Sequence, residues 1–155
     1  MIQLRPESTC SQPKVSPTPD LVGKPDFPDL RELIEQESSP MSLWIELYHV
    51  LVIAYDQQPI NDERIGKVYD YAAWCLKQPQ TGNKETDAPS GAAVSFIEDI
   101  PLNQRISDDL YRWVSAETFD GCENLFRYLL SDEEYQGFAA EFHRRKKEFG
   151  GASRL

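Results

Sequence analysis

The side chains best suited to chemistry are few: two histidines, His49 and His143, and three cysteines, Cys10, Cys75 and Cys122. The histidines lie far apart in the chain, and neither belongs to a ligand spacing of the zinc type. His49 falls inside an apolar helical pattern, which suits a partly buried, hydrogen-bonded structural histidine. His143 precedes the basic run Arg144 to Lys147 and suits a solvated face. Cys75 or Cys122 could pair with His49, but neither has the electropositive setting that activates a thiol. Both have apolar neighbours at helical spacing, which reads as free buried thiols in a reducing cytoplasm.

No phosphate-cradling glycine loop, nucleophile elbow or dinucleotide fingerprint is present. Ser90-Gly91 looks like the start of a helix, and a helix start can hold an anion, but no lysine or second glycine stands beside it. Carboxylates come in adjacent pairs, Glu98-Asp99, Asp108-Asp109 and Glu133-Glu134. Neighbours on a helix point about 100° apart, so such pairs do not converge on one substrate and suit solvated faces and caps. The alternating acids of a calcium loop are absent. No catalytic, cofactor-binding or metal-ligating residue is therefore assigned, and a non-enzymatic protein is expected.

Charge is the remaining signal. The 155 residues carry a formal net charge of −10, which opposes binding to nucleic acid, where lysine and arginine must neutralise phosphates. Residues 98–134 hold ten acids against three arginines, whereas residues 143–155 hold five bases against Glu148. An acidic surface carrying Glu98, Asp99, Asp108, Asp109, Glu117, Asp120 and Glu123 would steer a basic protein partner. Alternatively, the basic tail pairs with that surface, or both are simply solvated.

The elements that must present these groups read as helix after helix. Residues 1–28 hold six of the eleven prolines, predicting an extended, weakly packed arm. A helical domain over 29–150 follows, with 151–155 as a tail. Phe27, Leu30, Leu33 and Ile34 stripe a short first helix. Ser39-Pro40 opens a long second helix to about Asp56. That helix is apolar nearly all round, which predicts burial on more than one face. Asn61 caps a third helix with the stripe Ile65, Val68, Tyr69, Ala72, Cys75 and Leu76. Residues 78–90 read as a polar loop. A fourth helix is expected over about Gly91–Ile100, ended by Pro101. An irregular fifth is expected within 103–114 and a sixth over Ala116–Leu130, capped by Ser115. Ser131-x-x-Glu134 is a capping box for the last, about Asp132–Phe149, with Gly150 as its stop.

The expected fold is all-α, an irregular bundle or stack of about six to seven helices. No apolar run is long enough for a membrane span, and no targeting segment is seen, so a cytoplasmic protein without membrane contact is expected. Most of the many aromatics suit the core; Tyr71, Trp74 and Tyr128 fall off the apolar stripes and are candidates for an exposed docking patch or a homodimer contact.

Three segments carry a resemblance: Tyr71-Ala-Ala-Trp-Cys-Leu76, Ala93-Val-Ser-Phe-Ile-Glu-Asp-Ile100, and Tyr111 to Phe119 running into Glu123-Asn-Leu-Phe-Arg-Tyr-Leu-Leu130. Over about residues 60–145 the chain resembles uncharacterised all-helical bacterial domains of unknown function, and some small acidic proteins of this look are suspected toxin-immunity proteins. The resemblance transfers no catalytic residue.

Overall fold

The computed structural model describes residues 28–37, 39–151 and 153–155. The expected proline-rich arm and Cys10 lie outside the described residues. Within them the chain is all-α: eight α-helices, one π-helical turn and one 3-10 turn, with no strand. No described helix is long and apolar enough to cross a membrane.

Local chemistry fixes most helix ends. Helix α1 (Pro28–Gln36) buries Leu30 and Ile34. Helix α2 (Pro40–Asp56) starts at a capping box in which the Ser39 hydroxyl accepts from the Ser42 N–H and Pro40 occupies the first turn. Helix α3 (Asp62–Leu76) is capped by Asn61, whose side chain accepts from the Arg64 N–H. Asp62 and Glu63 sit in its first turn, where the helix dipole favours acids.

The face of α2 carrying Leu43, Trp44, Leu47, Leu51, Ala54 and Tyr55 is buried. Helix α3, the π turn and helix α4 (Ala88–Ala92) pack against α2. Several elements cover α2, as burial on more than one face predicts, but one flank stays open: Ile45 is 44% exposed and Ile53 56%. His49 stands on this flank too, with its Nδ1 3.8 Å from Glu46 Oε2, so it is an exposed residue and not a half-buried one.

The fourth helix begins earlier than the sequence suggests. Asp87 caps α4, so Gly91 lies within the helix and does not start it. The chain then widens into a π turn (Ala93–Ile97) and tightens into a 3-10 turn (Ile100–Leu102). The Glu98 N–H reaches back five residues to the Ala93 carbonyl at 3.1 Å. Ser95, Phe96 and Ile97 are all buried there, and Phe96 stacks on Trp44 with centroids 4.7 Å apart. Gly91 marks a near contact between α4 and the start of α2. A Cβ there would lie 2.7 Å from Pro40 Cβ and 3.0 Å from its carbonyl carbon. Gly91→Ala is therefore expected to cost about 1–3 kcal/mol by overpacking against a proline that cannot swing away. A urea titration checks this: the midpoint should fall with an unchanged slope.

Helix α5 (Gln104–Trp113) is capped by Asn103, whose side chain accepts from Arg105 and Ile106. The expected single helix over 116–130 is two, α6 (Ala116–Gly121) and α7 (Glu123–Leu129). The break falls at Gly121-Cys122, beside the weakest helix former of the stretch. Helix α8 (Asp132–Phe149) opens on the Ser131/Glu134 capping box and stops at Gly150, which is left-handed at φ 61°, a conformation glycine adopts at no steric cost.

Two aromatic clusters fill the core. Trp44, Tyr69, Phe96 and Trp113 join α2, α3, the π turn and α5. Phe119, Phe126, Phe138 and Phe142 join α6, α7 and α8, with Phe119 and Phe142 stacked at 3.9 Å. Residues 153–155 return to the body. The N–H groups of Arg154 and Leu155 both donate to the Trp113 carbonyl at 2.8 Å, and the Arg154 guanidinium pairs with Asp70 over Gly66.

Candidate functional site

The seven acids singled out by charge fall into different environments. Glu98 and Asp99 sit half-buried on the turn after the π helix, and burial raises both carboxyls above their ordinary values; the neighbouring Asp99 charge adds to the rise at Glu98. The Tyr48 hydroxyl donates to the Asp99 carbonyl at 3.5 Å.

Asp109 is turned towards the protein. Its Oδ2 accepts from the Tyr55 hydroxyl and the Trp113 Nε1–H, both at 2.9 Å. Arg112 Nη1 reaches Asp109 Oδ2 at 3.2 Å, and its Nη2 reaches Asp62 Oδ2 at 2.8 Å. Asp109 thus ties α5 to α2 and, through Arg112, to α3. Arg112 in turn holds the Asp62 carboxyl below its usual range by hydrogen bonding.

Asp108 stands on the rim of a cleft between α5 and α8. Its Oδ1 accepts from Gln104 Nε2 at 2.8 Å and lies 3.6 Å from Arg145 Nη2. Glu117, Asp120 and Glu123 are exposed on α6 and α7. Asp120 meets His143 Nε2 at 2.9 Å and Glu123 meets Arg127 Nε at 2.6 Å, whereas Glu117 has no ion pair among the described residues.

The basic run of α8 is largely engaged within the fold. Arg144 bridges Glu141 and Glu148, Arg145 binds Glu141 and the Asp108 carbonyl, and Lys146 Nζ donates to the Tyr111 carbonyl at 3.0 Å. Hydrogen bonds from Arg144 and Arg145 hold the Glu141 carboxyl down at about 2. Of the seven acids, Asp108 alone meets a base of the tail, Arg145 at 3.6 Å, as the expected alternative of tail pairing has it, and Asp120 meets His143. Arg154, however, pairs with Asp70 of α3.

No known family, curated protein or solved structure matches this chain.

Cys75 is buried beside Tyr71, and burial pushes the half-exposed Cys122 thiol up, the opposite direction from an activated nucleophile. Among the described residues no three His, Cys, Asp or Glu side chains are grouped to hold a metal ion. Of the aromatics considered for an exposed patch, Tyr71 and Trp74 are core residues, 3% and 7% exposed, packed on each other with centroids 5.7 Å apart. Tyr128 is 74% exposed, as that reading expects.

Sequence reasoning missed the α5/α8 cleft, a space of about 420 Å³ lined by Tyr111, Leu130, Phe138, Phe142, Asp108 and Glu134 among others. The one sequence signal for it is Gly137, a glycine inside an otherwise helical run.

Proposed function

We propose that this domain is a non-enzymatic protein-binding module that docks a basic partner on the carboxylates of α6, α7 and the start of α8. One observation carries the reading. Glu117, Asp120, Glu123, Asp132, Glu133 and Glu134 are all exposed. Arg127, which bridges Glu123 and Asp132, is the single basic residue in residues 117–134. The segment therefore projects several uncompensated negative charges from short, well-capped helices. Residues 1–27 carry three acids and three bases, so the net −10 belongs to the remainder of the chain. Such a field attracts positively charged proteins and repels nucleic acid. With the resemblance to bacterial domains, the partner class this favours is a basic effector such as a secreted toxin.

Capture of partners from the native cells, followed by a salt wash, tests the reading. A basic protein should be retained near physiological salt and released at about 1 M, where screening reaches about 3 Å. Capture of no basic protein, or retention unchanged through the wash, would overturn it.

A second reading, docking through an apolar patch or homodimerisation, is favoured by Tyr128 and the 41% exposed Leu129 on α7. It requires dimerisation or partner binding that Tyr128→Ala abolishes; sedimentation of both proteins decides it.

A further inference from the structure

The α5/α8 cleft is lined by Tyr111, Leu130, Phe138 and Phe142 together with Asp108, Glu134, Glu141 and one cation, Arg145. Arg145 is already committed: its Nε donates to Glu141 Oε1, its Nη1 to the Asp108 carbonyl, and its Nη2 lies 3.6 Å from Asp108 Oδ1. Both Glu141 oxygens are taken by Arg144 as well. The other two acids keep free acceptors. Asp108 uses Oδ1 for Gln104, and Glu134 uses Oε2 for the Ser131 N–H. Asp108 Oδ2 and Glu134 Oε1 accept no hydrogen bond among the described residues. Two carboxylate oxygens are therefore available among the lining residues, which carry three negative charges and one positive.

Gly137 is one of the residues lining this cleft. It lies within α8, and a Cβ at that position would meet nothing within 4 Å. Neither close packing nor a left-handed backbone requires glycine there, although a mid-helix glycine costs about 1 kcal/mol relative to alanine. A larger residue there would add a side chain to the cleft's lining.

We propose that the α5/α8 cleft is the anchor subsite for an arginine side chain of the basic partner, an assignment that rests on the docking function proposed above. The alkyl stem and planar guanidinium lie on the half-buried Tyr111 and Phe138, and the guanidinium donates to Asp108 and Glu134. Arginine suits such a site better than lysine, because its weakly hydrated planar head both stacks on aromatic faces and forks onto carboxylates. The excess negative charge of the rim rejects an anionic ligand.

Titration of the full-length, nitrogen-15-labelled protein with acetyl-Gly-Arg-Gly-amide at low salt tests this. The amide signals of Tyr111, Gly137 and Phe138 should move. The citrulline counterpart, the same shape without the charge, should bind at least about tenfold more weakly, and Gly137→Leu or Asp108→Asn should each weaken the arginine peptide at least about fivefold. Gly137→Leu also raises helix propensity, so its melting temperature should not fall, and Asp108→Asn keeps the side-chain shape. Equal binding of the citrulline peptide, or binding unchanged in both variants, overturns the subsite. Shifts confined to Glu117, Asp120 and Glu133 also overturn it while leaving the basic-partner function standing. No shift anywhere overturns both. Cleft signals that move when the protein alone is diluted would assign the cleft to a second copy of the chain.

Discussion

Asp109→Ala is expected to be among the most destabilising single changes in this protein, costing about 3 kcal/mol or more, because it strands several donors at once. The Tyr55 hydroxyl and the Trp113 Nε1–H both donate to Asp109 Oδ2, and Tyr55 and Trp113 are 3% and 6% exposed. Water cannot readily replace the lost acceptor for groups so enclosed. Arg112 would keep only Asp62. Tyr69 supplies the internal control. Its hydroxyl is buried close to this cluster and has no partner among the described residues, and burial pushes it well above the ordinary tyrosine range. Tyr69→Phe removes a desolvated group that returns no hydrogen bond, so it should leave stability within about 0.5 kcal/mol or raise it. Urea unfolding of the two variants should therefore separate sharply. Similar losses in both would mean that Asp109 is not the node described.

Asp87→Ala should be nearly as costly, about 2–4 kcal/mol, since one buried carboxylate organises both a loop and a helix start. Asp87 Oδ1 accepts from the Ser90 N–H at 2.7 Å, capping α4. Its Oδ2 accepts from the Thr81 N–H at 2.7 Å, the Thr81 hydroxyl at 2.5 Å and the Asn83 N–H at 3.1 Å. These hydrogen bonds outweigh burial and hold the carboxyl well below its ordinary value of 3.8. A carboxyl whose folded pKa is depressed binds its proton more readily in the unfolded chain. Its contribution is present above about pH 4 and is lost as pH falls towards the folded value. Glu141 and Asp62 act in the same direction, whereas Glu98 and Asp99, both raised, act against it. Asp87→Asn should accordingly flatten the acid limb of a plot of stability against pH between about 4 and 2, besides lowering stability at neutral pH. An unaltered acid limb would place the main acid-sensitive group elsewhere.

The helix ends were legible in the sequence wherever their chemistry is local. Ser39-Pro40, Asn61 and Ser131-x-x-Glu134 start their helices and Gly150 stops one, each acting within four residues and each where the sequence reading puts it. Leu43, Trp44, Leu47, Leu51 and Tyr55 likewise announce a buried face by period alone. Long-range facts were illegible. The sequence of α2 says that Ile45 and Ile53 are apolar, but only the placement of its neighbours leaves them in water. Asp87 looks like one more polar loop residue until Thr81 and Asn83 turn back onto it. Asp109 and Asp108 are indistinguishable as neighbours in a charge count. The helical turn between them sends one to Tyr55, 54 positions away, and the other to the cleft facing α8. The cleft itself belongs to two helices and is written in neither, apart from Gly137.

The most direct test of the docking surface compares the native chain with a variant carrying Glu117→Gln, Asp120→Asn, Glu123→Gln and Glu133→Gln, after circular dichroism shows equal helix content. These exposed positions carry no buried contact, so the fold should persist while the local field falls by four charges. The native chain should retain a basic protein from its own cells near physiological salt, and the variant should retain none. The same protein held equally by both would contradict it.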